Sequence, residues 1–432
     1  MDPWLQDATN DSALMDDFLA ICAFGGRRSG SGQDSAALNW ALDRLKSVAP
    51  GVRRLEVPYD GWRCTFADLQ LLGSEASLAC NPLLRSASTP LAGIEAELID
   101  LGEGRTEDFA RHGNKVQGRI VLVRHEYPFS SEHMHRRRKY DLAVAAGAAG
   151  FLIANTLPGA GVLSGSSGRG LGMPGIPAAY VDFETAQTLG EAASKGRAML
   201  RLRIHGEEEP NSTAGVGILD IPGGRDSKIV ISAHMDGHDL GQSALDNATG
   251  VAVALAAARA LAPHVNEQTA SLRVCFFCAE EWALSGSARY LDDMSEDERA
   301  SLKLNINLDT VAGDNTLTAL ISDYPQLKGY VAEGSQMAGV AVDTWLPLMP
   351  NSDHANFARH GVPAFRLVAG FNKPTSRVNN ILSAGDVPDV VKESELSQAL
   401  AVTCALGYTA LSKTDADLNR FALRQEAEKA PM

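Results

Sequence analysis

The sequence predicts an α/β protein whose mostly parallel central sheet is covered by helices on both faces, with a β-rich domain inserted into it. Three observations carry that expectation. From residue 210 onward, near-continuous apolar strands alternate with helices, the pattern of a parallel sheet buried on both sides. Between about 70 and 205 the texture changes to short β-like segments broken by Gly/Pro/Ser loops. At 432 residues the chain is also longer than one ordinary domain. The reading is therefore a larger domain made of 1–70 and 206–432, interrupted by an insert at 71–205.

Residues 15 to 60 read as a helix, a Gly/Arg/Ser turn "FGGRRSGSGQDS", a second helix "AALNWALDRLKSV" and a strand "RRLEVPY". Within the insert, "AELIDLG", "GRIVLVRH", "GFLIANT" and "PAAYVDF" are strand-like, and one good helix is expected around "RKYDLAVAAGAA". The G-R-G-L-G at 168–172 follows no strand and opens no helix, so it is loop and not a dinucleotide fingerprint. Beyond the insert, "SKIVISAH" precedes the apolar helix "ATGVAVALAAARALA", and "SLRVCFFCAEE" precedes "ALSGSARYLDD". Ser295 and Glu298 form a capping-box pattern, "LKLNINLDTV" is the next strand, and "SDHANFARHG" is a helix closed by Gly361 with Pro363 beyond. The strand "PAFRLV" follows.

Composition narrows the function. Hydrophobic residues at 45% and charged residues at 21% describe a globular chain with ample core, and a net charge of −14 argues against a nucleic-acid partner. The basic cluster "HMHRRRKYD" at 133–141 is read as a solvated helix face. The acidic N-terminus shows neither a signal peptide nor a membrane span, so a cytoplasmic location and no membrane partner are expected. Six scattered cysteines make no disulfide framework, and Cys275 and Cys278 are read as core residues.

Three predicted strands end in metal-ligand residue types. The first delivers His234 and Asp236, with Asp246 after a Gly-containing loop; the second delivers Glu280 and Glu281; the third delivers Asp309. In parallel sheets, ligands sit outside the carboxyl ends of the strands. Five carboxylates and an imidazole at one edge repel unless a cation neutralises them. Imidazole nitrogen plus carboxylate oxygen, without thiolate, suits zinc or a similar divalent ion. An Asp two residues after a ligating His is placed to orient the imidazole.

"SAHMDGHDLGQSALDNATG", "FFCAEEWALSGS", "NINLDTV" and "NSDHANFARHGVPAF" resemble, in order and spacing, the co-catalytic zinc aminopeptidase and glutamate carboxypeptidase family. The run "HMDGHDLGQSALDN" looks most like its plasma glutamate carboxypeptidase branch, and "GGRRSGSGQDSAALNWALDRLK" is similar to the family's opening segment. The insert, with "VQGRIVLVR", "AVAAGAAGFLIAN" and "GIPAAYV", resembles a protease-associated domain, expected to overhang the site and restrict it to small substrates. The resemblance implies a zinc-exopeptidase fold. It implies that His234 and Asp309 hold a first metal, Asp246 bridges, Glu281 holds a second, Glu280 is the general base, and Asp236 orients His234. The family's fifth ligand is a histidine near the C-terminus, and Leu382 stands at that position. His238, His354 and His360 are the candidates to replace it. His354 is the choice, because its segment lies near the family's active site.

The expected activity is metal-dependent hydrolysis of an amide bond in a small peptide, dipeptide or N-acyl amino acid, using one or two zinc ions and a metal-activated water with Glu280 as base. His238 and Arg366 are candidate substrate-binding residues. Arg366 and Arg377 are also considered as holders of a substrate carboxylate, though each reads more simply as an ordinary ion-pair arginine. Recognition from the amine or the carboxylate side is left open, and an oligomer is compatible with the sequence. The alternatives are a single-metal acyl transferase of the glutaminyl-cyclase kind, or a receptor-like binding protein without catalysis.

Overall fold

The computed structural model describes residues 3–76, 78–196 and 198–423. Its internal contacts divide the chain into two compact units. One comprises the chain up to Pro58, Thr213–Ile381 and the chain from Asp386 on; the other comprises Tyr59–Ser212 and Leu382–Gly385.

The first unit is built on a sheet with strands in the order Val342–Trp345, Leu317–Leu320, Ala364–Ala369, Leu302–Leu308, Lys228–His234, Ser271–Phe277 and residues 213–221 of the strand Met199–Ile221. The middle four pair in parallel; Leu317–Leu320 runs antiparallel to Ala364–Ala369, and 216–221 antiparallel to Ser271–Phe277. Every residue of Ala364–Ala369 is buried, as are all but the first of Lys228–His234 and Ser271–Phe277. Burial of successive residues means that both faces are covered. Thr249–Leu261 and Glu393–Ser412 pack on each other and on Lys228–His234, while Ser285–Asp292 packs on His354–Arg359. Among the described residues, Ala244–His264 is the one segment long and apolar enough to cross a membrane, but 89% of its apolar window lies inside the protein. It is a core helix.

The predicted stops are present. Ser295 accepts from the Glu298 amide at the start of Glu296–Ser301. The helix His354–Arg359 ends in a Schellman motif. Gly361 has φ +82°, its amide reaches Ala358 O, and Val362 N reaches Phe357 O. Cys275 and Cys278 are fully buried core residues, and burial pushes the Cys275 thiol up to about 12.

The second unit differs from the sequence expectation in three ways. Its compact boundary is Tyr59–Ser212, not 71–205. The reason is that Val52–Leu71 and Met199–Ile221 are single long strands, and the sequence carries no break where the contacts divide. The unit also has more helix than expected. Its strands run in the order 199–202, Ile94–Asp100, Ile120–Arg124, Gly150–Ala154, Ala178–Val181 and Cys80–Pro82, and the inner three pairings are parallel. Besides Arg136–Ala145 it contains Thr106–His112 and Phe183–Lys195. The start signal of the last was legible, since Asp182 accepts from Thr185 N at 2.8 Å.

Finally, the basic cluster is a solvated face only in part: Arg138 and Asp141 are exposed. Arg136, Lys139 and Tyr140 are buried. Lys139 Nζ donates to Glu103 O and Arg124 O and pairs with Glu126, while Arg136 Nε donates to Ser166 O. The cations serve loop carbonyls, so charge alone misjudged their exposure.

Candidate metal centre

Sheet register brings the ligand types together. His234 lies opposite Phe277, three residues before Glu280. Asn307 pairs with Ser232, so continuing that register sets Asp309 opposite His234. The chain then turns sharply at the strand ends, with Ala279 at φ +60° and Thr310 at φ +58°. Such conformations cost about 1–3 kcal/mol each and persist only where neighbours hold them. Ala279 N donates to Ser29 Oγ at 2.7 Å, and Thr310 N to Asn247 Oδ1 at 3.2 Å.

His234 is the hub. Its Nδ1 lies 3.0 Å from the main-chain oxygen of Asp236, which fixes the ring and turns Nε2 toward Asp246 Oδ1 at 3.0 Å and Asp309 Oδ1 at 3.5 Å. Asp236 thus meets His234 through its carbonyl. Its carboxylate, 3.8 Å from Nδ1, accepts instead from the amides of Glu280 at 3.1 Å and Glu281 at 3.3 Å. One buried aspartate therefore sets both the imidazole and the glutamate pair.

Two sets of donor atoms converge, each within 4.8 Å: His234, Asp246 and Asp309, and His234, Glu280 and Glu281. The electrostatics suit a cation. Burial opposes charging His234, yet Glu280, Asp309, Asp236 and Asp246 outweigh it and hold its pKa well above the usual value. Burial pushes the Glu280 carboxyl far up; His234 opposes this, while Glu281, Asp353 and Asp309 add to it. Glu281 Oε1 is buried without a hydrogen-bond partner. An imidazole, clustered carboxylates and an orphaned carboxylate oxygen fit zinc, which takes nitrogen and oxygen ligands at about 2.0–2.2 Å.

The remaining predicted residues have distinct places. Arg366 is 2% exposed; its guanidinium lies 3.0 Å from Asp309 Oδ1, and it donates to Asp309 O and Asn351 O. Although burial opposes it, Arg366 together with His234 lowers the Asp309 pKa. Arg366 is therefore engaged with a ligand residue. Arg377 is likewise paired with Glu395. His354 is fully buried and belongs to neither donor set. Burial and the neighbouring Arg366 lower its pKa to about 3. His360 caps its helix, with Nδ1 2.8 Å from Asn356 O and Nε2 3.1 Å from Asp292 Oδ1. His238 stands with Nε2 2.7 Å from Glu281 Oε2. Leu382 falls in the second compact unit and offers no donor atom.

Sequence reasoning missed four residues that hold the site in place. Arg27 is fully buried. Its guanidinium donates to Met235 O (2.9 Å), Gln242 O (2.9 Å), Ser243 O (2.8 Å) and Gly25 O (2.7 Å), clasping the loop that carries Asp236 and His238. Asp386 accepts from the amides of Leu245 (2.7 Å) and Asp246 (3.3 Å), and burial raises its pKa to about 7. Asn247 donates to Leu308 O and accepts from Gly250 N and Thr310 N, tying the Asp246 turn to the Asp309 strand. Asp353 accepts from Ser287 Oγ and is raised by burial to about 7. Its charge is felt by Glu280. The segment that suggested His354 brings the preceding carboxylate into play. Buried residues answering groups more than 60 positions away leave no local signature; only "GGRRSG" and "NSDH" hinted at them.

Residues 218–405 match the model of peptidase family M28, and residues 86–189 match the PA domain. Aminopeptidase YwaD of Bacillus subtilis (strain 168) is 26% identical over 379 residues, spanning 85% of this chain and 78% of that protein. Leucine aminopeptidase 2 of Trichophyton equinum is 27% identical over 354 residues, spanning 77% of this chain and 66% of its own length. The solved structure of BSAP, a zinc aminopeptidase from Bacillus subtilis, superposes with a TM-score of 0.73 at 21% identity, covering 93% of this chain and 95% of that one. At that identity the likeness is one of fold.

Proposed function

We propose that this chain, which carries a peptidase family M28 domain with an inserted PA domain, is a zinc-dependent aminopeptidase that removes residues from the free amino end of small peptides. His234, Asp246 and Asp309 would hold the ion. Zinc bound there supplies a Lewis acid that polarises the scissile carbonyl and acidifies water. Glu280 takes the proton from the attacking water. As the C–N bond breaks it passes that proton to the leaving amine nitrogen, whose protonation lets it depart. Burial, which raises the Glu280 carboxyl, favours its protonated form, the one that delivers the proton to the amine. Asp236 keeps Glu280 in place through its amide, and Arg366 holds Asp309.

The observation that favours amine-side recognition is charge. The site gathers Asp236, Asp246, Glu280, Glu281, Asp309 and Asp353 in nearly buried positions, while Arg366 and Arg377, the arginines considered for a substrate carboxylate, are committed to Asp309 and Glu395. With both arginines engaged, neither is available to a substrate carboxylate, whereas a carboxylate not taken up by an ion can hold an ammonium group. The names of the relatives support the same side.

The test compares a dipeptide or tripeptide with its N-acetylated and C-amidated forms. Acetylation is expected to lower kcat/KM by at least about tenfold, the worth of one hydrogen bond to a charged group, and amidation to leave it nearly unchanged. The opposite ranking would make the protein a carboxypeptidase. A pyroglutamyl product would mark cyclising chemistry instead.

A further inference from the structure

The second donor set has a member that its neighbours identify. Glu281 lies within 4.8 Å of His234, next to the first set, and its Oε2 faces His238 Nε2 at 2.7 Å. An imidazolium–carboxylate pair alone would leave Glu281 Oε1 buried without a partner, a cost of about 1–3 kcal/mol. A cation bound by His238 Nε2 and by both carboxylate oxygens of Glu281 would engage the orphaned Oε1 as well as Oε2. Ligands of one tetrahedral zinc lie about 3.4 Å apart, so the observed separation needs only a small shift.

The backbone that presents His238 is fixed. Its amide donates to Ser243 Oγ at 2.9 Å, and a Cβ on Gly26 would lie 2.0 Å from His238 O, so only glycine admits this approach. Arg27 clasps the carbonyls on either side of it. His354, by contrast, sits beside the Arg366 cation, whereas His238 faces Glu281.

We propose that His238 and Glu281 together hold a second zinc ion beside the one at His234, Asp246 and Asp309. This rests on the zinc site of the preceding subsection and supplies the nitrogen ligand that Leu382 does not.

Metal analysis of chelator-free wild type, His238→Ala and His354→Ala tests it, with His238→Cys on cobalt-loaded protein as an independent reading. The expected result is two equivalents in wild type and His354→Ala and one in His238→Ala. The cobalt form of His238→Cys should show a thiolate-to-cobalt band in the near ultraviolet that wild type lacks. Two equivalents retained in His238→Ala, one in wild type, or no thiolate band in folded His238→Cys would each overturn the proposal. A wild type that binds no zinc would overturn the site itself, which distinguishes the two failures. If His238→Ala does not fold, the cysteine variant decides.

Discussion

Glu280→Gln is expected to lower kcat by about 10²–10⁴ while zinc content and the far-ultraviolet spectrum stay those of wild type. Glutamine keeps the main-chain bond from residue 280 to Asp236 Oδ1 and fills the same space, so geometry survives. What it loses is the ability to accept the proton from water and return it to the amine. Stability should not fall. Burial is the first cost of charging this carboxyl; a neutral amide removes that cost together with the repulsion from Glu281, Asp353 and Asp309, against the lost attraction of His234. Turnover equal to wild type would remove Glu280 from the mechanism, and loss of zinc would make it a ligand instead of the base.

Arg27→Met is expected to destabilise the fold strongly although Arg27 lies outside the donor set. The buried guanidinium satisfies carbonyls of Gly25, Met235, Gln242 and Ser243 at once, and bonds to charged donors contribute about 1.5–3 kcal/mol each. Those carbonyls cannot all find other partners, so a loss of at least about 3 kcal/mol follows, and a fall in Tm of roughly 3–5 °C. Arg27→Lys should rescue little, because one ammonium cannot reach acceptors spread around a planar fork. Residual folded protein should bind zinc weakly, since Asp236 and His238 ride on the clasped loop. A Tm within about 2 °C of wild type would show that the loop holds itself.

The donor set was legible in the sequence because strand ends and ligand residue types are both local signals. "KIVISAH", "RVCFFCAEE" and "LNINLD" each announce a buried strand that stops at an acid or imidazole group. Parallel register then brings the stops together. What lay hidden depends on distant segments meeting. The clasp by Arg27, the two amides held by Asp386 and the brace by Asn247 are contacts that no window of sequence contains. His238 and His354 are the same residue type in equally suggestive runs, and only the loop path decides that one faces Glu281 while the other lies beside Arg366. The Arg136 and Lys139 cations misled for a related reason. A charge looks solvated until the carbonyls that surround it are known.

The central claim is that zinc at these carboxylates and His234 drives cleavage at the amino end. Chelator-stripped protein, titrated with zinc while hydrolysis of an unblocked dipeptide is followed, tests it most directly. Turnover should be absent in the stripped protein and rise in proportion to zinc bound, until the donor sets around His234 are filled. Full hydrolysis by zinc-free protein, or stoichiometric zinc binding without any hydrolysis of unblocked peptides, would contradict the account.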